Sequence, residues 1–264
     1  MQSSYDISWW SLSAFSSLLL IPLAINKLYR LELGKEVLVS VVRMAIQLML
    51  VGIYLEFLFS LDSLWINLAW IAVMLGVGAS TIVGKAKLPR RQLFFPVLGG
   101  LVFGLAPVLL FLFWMVVQPE PIHSAQYVIP LAGMLLGNSL SGNIVALQNL
   151  YSAFEDRREE YEVAIALGAP AEYATLPFVR MAMQKAFAPI LASMAASGLV
   201  TLPGMMTGQI LGGASPILAI KYQILILIAI FVVMTISVTL TLKFSLRRSI
   251  NSQGRVLIHT NSRQ

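Results

Sequence analysis

Residues 217–242 read ILAIKYQILILIAIFVVMTISVTLTL, one charged side chain (Lys221) in the whole run. A soluble core has no use for so long an uninterrupted apolar segment. About 20 apolar residues cross the hydrocarbon of a bilayer as a helix, and the helix satisfies its backbone polar groups where no water can. The rest of the chain agrees: charged residues make up 11% of its 264 residues and hydrophobic ones 58%, against about 25% charged in soluble domains. Mean hydropathy is +0.82. The chain reads as an all-α integral membrane protein, one polytopic domain over 1–264.

Working outward, further runs lie at about 9–27, 37–59, 64–84, 93–117, 125–150 and 186–213. With 217–242 they make seven expected spans. The first is no signal peptide, because no Lys or Arg precedes it and the run is too long. The basic residues alternate by connection. Lys27, Arg30 and Lys35 follow span 1; Lys85, Lys87, Arg90 and Arg91 follow span 3. Arg157, Arg158, Arg180 and Lys185 follow span 5, and Lys243, Arg247, Arg248, Arg255 and Arg263 follow span 7. These are 16 of the 18 Lys and Arg; only Arg43 and Lys221 lie elsewhere. The positive-inside rule then puts the N-terminus outside and the C-terminus inside. The net charge of +6 is explained by this placement and needs no nucleic-acid partner. With no cysteine, disulfides and thiolate metal sites are excluded.

The longest hydrophilic connection opens EDRREEYEVAIALG, residues 155–168. Tyr161, Ala164 and Ile165 share a helical face, and Gly168 is a natural helix end. The spacing predicts a short cytoplasmic helix within 155–170. Glu162-Val163-Ala164-x-x-x-Gly168-Ala169 resembles the E-A-A-x-x-x-G loop of ABC-transporter permeases, with Val163 replacing the first Ala. In that family the helix docks on a separate ATPase subunit, so the resemblance makes Glu162, Ala164, Gly168 and Ala169 the ATPase-coupling residues. VIPLAGMLLGN (128–138), ALGAP (166–170), GLVTLPGMMTGQILGG (198–213) and AIKYQI (219–224), with VRMAIQLMLVG (42–52), are together similar to the FetB family. Those are permease subunits of a bacterial ABC transporter linked to iron export, related to plant aluminium-tolerance subunits. The resemblance implies two copies of this chain in the cell membrane with two cytoplasmic ATP-binding subunits. No G-x-x-x-x-G-K-[ST] occurs, so ATP would be used by the partner, and no cofactor is expected on this chain.

LAGMLLGNSLSG (131–142) and LPGMMTGQILGG (202–213) repeat one another at an offset of 71. Gly133, Met134, Gly137 and Asn138 of the first copy correspond to Gly204, Met205, Gly208 and Gln209 of the second; Met206 and Pro203 flank the latter. Such stripes either pack helices closely or line a pathway with carboxamide oxygens, thioethers and the carbonyls of a helix broken at Pro203. Arg43 and Gln47, one turn apart inside span 2, either face protein or water, or snorkel to the surface. Lys221 is placed to pair with Glu56 or Glu120. Asp6, Glu56, Asp62, Glu120 and His123 either greet a divalent cation outside or simply mark the side from which Lys and Arg are absent. No metal-ligand spacing appears.

A seven-helix receptor shares this topology, but a retinal lysine would sit at mid-span, and Lys221 lies at an edge. No G-x-S-x-G or H-E-x-x-H suggests a hydrolase. The expected function is an ABC permease for iron or another metal. A non-metal solute such as a nucleotide sugar is the alternative cargo.

Overall fold

The computed structural model describes residues 7–61, 63–121, 123–251 and 254–257; Asp6, Asp62 and Arg263 lie outside them. Ser8 accepts a hydrogen bond from the Ser11 N–H (3.2 Å) and caps α1, Trp9–Leu28, which tightens to a 3-10 turn at Ser17–Leu19. The Asn26 side-chain oxygen accepts the Leu33 N–H at 2.9 Å, and Arg30 and Glu32 adopt φ of 50° and 58°. That tight turn leads into α2, Gly34–Leu61. Then follow α3, Leu64–Lys85, and α4, Arg90–Val117, whose last turns Leu112–Val117 widen to a π-helix. After these come α5, Ala125–Asp156, the short α6, Arg158–Ala166, and α7, Ala171–Ala196. The last two are α8, Gly204–Leu211, and α9, Pro216–Ser249. Ser215 caps α9 by accepting from the Leu218 N–H, and Pro216 occupies the first turn, where its missing N–H costs nothing.

Among the described residues, six helices are long and apolar enough to cross a membrane: α1 to α5 and α9. They coincide with six of the expected spans. The expected continuous span 186–213 does not form. Helix α7 starts far earlier, at Ala171, carries Arg180 and Lys185 along its length, and stops at Ala196. The chain then turns at Gly198 (φ +87°), whose N–H donates to the Thr201 carbonyl at 2.9 Å. Pro203 stands at the N-cap of α8. A residue before proline is disfavoured from helical backbone; α7 absorbs this at Pro177 and Pro189, but after the turn at Gly198, Pro203 starts a new helix instead.

Small residues set the centre of the bundle. Gly100 and Gly104 of α4 lie against Thr241 and Ser237 of α9; a Cβ on Gly104 would fall 2.6 Å from Ser237 Cβ. This is close backbone approach of the kind that holds helices together in lipid. Asn143 of α5 donates to Ser237 Oγ at 2.6 Å and to the Ser139 carbonyl at 2.8 Å, adding a polar cross-tie. Gly142 sits under Met234, and Gly78 of α3 faces Leu136 and Leu140. By contrast α1 and α2 stand at the edge. On α2 only Leu58 is buried, beside Ala125 and Ile129, while Tyr54 meets the Trp70 ring at 4.4 Å.

Candidate functional site

The short helix α6 is mounted on one end of the bundle by an aromatic cluster. Its inward residue Tyr161 is buried, with its ring 5.4 Å from Phe154 of α5 and 6.2 Å from Phe178 of α7. Phe154 and Phe178 stack at 5.0 Å, and the Arg157 guanidinium caps Phe178 at 5.2 Å. The Tyr161 hydroxyl donates to the Gly254 carbonyl at 2.7 Å. Burial pushes the Tyr161 phenol above its ordinary value, which keeps it the donor that this bond requires. The chain after α9 thus clasps α6. Ile250 and Val256 pair as an antiparallel bridge, and a Cβ on Gly254 would lie 3.1 Å from Ile165 Cδ1. Tyr151 and Ser249, hydroxyl to hydroxyl, join α5 to the end of α9 just above. Nothing in the local sequence pattern announces this clasp, because Tyr161 and Gly254 are 93 positions apart.

The outward side of α6 is different. Val163 is 57% exposed and Leu167 84%. Glu159 and Glu160 occupy the first turn, where the helix dipole favours them. Arg157 forks onto Glu160, and Arg158 pairs with Glu162 at 2.7 Å. The helix ends in a Schellman motif: the Gly168 N–H donates to the Ile165 carbonyl and the Ala169 N–H to the Ala164 carbonyl, each at 3.0 Å. Gly168 has φ +87° with open space around it. Of the expected coupling residues, Glu162 and Gly168 are exposed, while Ala164 and Ala169 are half-buried against the bundle.

The repeated glycine stripes lie on α5 and α8. Gly133 approaches Met74, where a Cβ would stand 3.2 Å from Met74 Cε. Gly137, Gly204 and Gly208 meet no side chain within 4 Å of a Cβ position, so Gly137 and Gly208 do not touch each other within the chain. Asn138 donates to its own helix, to the Met134 carbonyl at 2.8 Å. Met134, Met205 and Met206 are half-buried. Gln209 holds its side-chain oxygen buried and without a partner, and Pro203 begins α8.

Arg43 and Gln47 are exposed on the flank of α2, beside a hollow of about 420 Å³. Lys221 forms no ion pair with Glu56 or Glu120, so the expected pairing is absent among the described residues. The His123 carbonyl accepts from Asn67 at 2.7 Å. Among the described residues no three His, Asp or Glu side chains gather as a metal site would require. A second hollow, about 450 Å³, opens between α7 and α9 near α6, with Glu172, Thr175, Lys243 and Arg247 on its walls.

Comparison with known proteins places the chain. Residues 9–250 match the family model described as Uncharacterised protein family (UPF0014), and the chain belongs to that family. A Synechocystis protein, "UPF0014 membrane protein slr1647", is 31% identical over 96% of this chain and 98% of its own length. The Arabidopsis thaliana "Protein ALUMINUM SENSITIVE 3" is 35% identical over 80% of this chain and 77% of its own length. The Escherichia coli "Probable iron export permease protein FetB" is 27% identical over 97% of both. No solved structure matches. The chain is a multi-pass membrane protein.

Proposed function

We propose that this UPF0014 chain is the permease subunit of an ABC transporter, with α6 as the surface on which a separate ATPase subunit docks. One observation carries the reading: α6 is held rigidly from behind by Tyr161, Phe154 and Phe178, yet leaves Leu167 84% exposed at its tip. A helix of nine residues is too short to hold itself, and its fixing costs side-chain freedom that a mere linker does not need. Held this way, α6 passes a push from a docked partner directly into α5, α7 and the end of α9. The orientation that follows has the N-terminus outside, and α6 and the C-terminal tail in the cytoplasm. A seventh crossing is made by α7 with the 197–203 turn and α8. The chain acts as one of two copies in a 2+2 complex, and ATP is consumed by the partner. The relative named a probable iron export permease supports iron or another metal as cargo, exported by alternating access.

Purification from cells that also express the ATPase tests the docking. Leu167→Asp puts a charge where an apolar groove is expected, and Glu162→Lys reverses the rim; both should lower ATPase recovery about tenfold, leaving membrane insertion intact. Full ATPase recovery with both variants refutes the proposal.

A further inference from the structure

The hollow between α7 and α9 is built from both helices. It holds about 450 Å³ and follows one face of each, past Thr175, Val179 and Met183 on α7 and past Thr239, Lys243 and Arg247 on α9. Both rows step by four residues, so each is a continuous stripe along its helix. The stripes run antiparallel, because Ala171 at the start of α7 and Asn251 just past the end of α9 line the same space. Beyond Met183 the two helices stay packed, and Phe187 meets Phe231 at 6.1 Å, ring to ring. The result is a groove about 18 Å long that ends beside the mount of α6.

Its deeper wall is apolar, from the half-buried Val179, Met183 and Leu246. Lys243 and Arg247 line it from the exposed side, and neither makes a hydrogen bond or ion pair among the described residues. Glu172 borders the same hollow, yet no ion pair with either cation closes it. The level is set by α9 itself. Residues 222–242 carry no charge, and Lys243 is the first cation after them, which marks the edge of the hydrocarbon. Arg247 follows one turn on, about 6 Å further, within a headgroup layer about 5–7 Å deep. Helix α7 begins at this end without a side-chain cap, so its free N–H groups add positive character. The positive-inside rule accounts for cations at this end. It does not account for two of them sharing one walled groove that Arg248, next in the chain and also exposed, does not line.

We propose that this groove binds one anionic phospholipid from the leaflet on the α6 side. The Lys243 ammonium and the Arg247 guanidinium hold its phosphate oxygens, and an acyl chain lies along Val179, Met183 and Leu246. Two cations against the single carboxylate of Glu172 favour a headgroup of net negative charge over a zwitterionic one, and basic pockets between membrane helices are suited to such headgroups. The bound lipid joins α7 to α9 where Ile250, which also lines the groove, pairs with Val256 in the clasp on α6. Occupancy therefore stiffens the mount of α6. The site requires only that α9 crosses the bilayer, so it stands or falls apart from ATPase docking.

The test uses the full chain, purified in detergent and stripped of lipid. Phosphatidylglycerol, phosphatidylethanolamine and phosphatidylcholine are titrated in turn, and bound lipid is counted by native mass spectrometry. Phosphatidylglycerol should bind at least about fivefold more tightly than either zwitterionic lipid, and Lys243→Gln and Arg247→Gln should each weaken it about fivefold or more. Arg248→Gln removes the same charge next door and should change it less than about twofold. Glu172→Gln removes the opposing carboxylate and should tighten it about twofold or more. Four results overturn the proposal. They are equal binding of the three lipids, binding unchanged by Lys243→Gln or Arg247→Gln, a loss in Arg248→Gln as large as in Arg247→Gln, and displacement of phosphatidylglycerol by excess inorganic phosphate. The third would mean general surface attraction, and the fourth a site for a free anion. Unfolding midpoints accompany each titration. If the variants at Lys243 and Arg247 do not fold, Glu172→Gln decides, and unchanged binding there overturns the proposal.

Discussion

Replacing Gly168 by Val isolates the role of one backbone angle. Because a Cβ there meets nothing within 4 Å, the cost is set by the backbone angle, φ +87°. A left-handed conformation costs a residue with a Cβ about 1–2 kcal/mol, and a β-branched side chain sits at the unfavourable end. That energy shifts the balance between the native turn and a rearranged one about 5–30-fold. Rearrangement loses the Gly168-to-Ile165 and Ala169-to-Ala164 hydrogen bonds, about 1 kcal/mol each, and redirects the entry into α7 three residues later. Gly168→Val should therefore lower ATPase recovery about tenfold with little change in membrane insertion. Gly168→Asn, which tolerates this conformation, should keep most of it. Co-purification with the ATPase and ATP hydrolysis by the complex are the assays. If Val behaves as wild type, or if Asn fails as badly as Val, the backbone angle is not what positions the helix.

Tyr161→Phe keeps the ring contacts and deletes the bond to Gly254; a loss of about 1 kcal/mol in unfolding stability is expected, and an unchanged midpoint refutes the clasp. The raised Tyr161 value makes the folded state the better proton holder, so this stability is full below the unfolded phenol value of about 10 and falls as pH rises above it toward the folded one; a wild-type decline absent from Tyr161→Phe confirms the source. Gly104→Leu should separate α4 from α9 and cost about 2 kcal/mol or more by overpacking, read as lost monodisperse protein in detergent. Gln209→Leu removes a buried oxygen that has no partner, so thermal stability should hold or rise; a drop would show that the oxygen has a partner in the membrane. Single cysteines at Ser124 and Val163 should react with an impermeant reagent from opposite sides, and labelling of both from outside would refute the orientation.

Much of this molecule was legible in its residues. Six of the seven expected runs are helices with nearly the expected limits, because burial of a long apolar run in lipid depends on its own composition and hardly on its neighbours. The short helix ending at Gly168 was equally readable, since a charged approach, one apolar face and a terminal glycine are local signals. The break between Ala196 and Gly204 was legible only in part: Pro203 offered a place for the helix to break, but a hydropathy sum over 186–213 ignores backbone angles, and the positive φ at Gly198 exists only in the folded chain. The glycine stripes show the same limit. Sequence pairs Gly137 with Gly208 by likeness, while the fold leaves both facing open space and gives the close contacts to Gly100, Gly104 and Gly142. Likewise the chain alone could not join Tyr161 to Gly254. Those relations depend on which helices become neighbours, and neighbours are chosen by the packing of the whole bundle, in which no window of sequence takes part by itself.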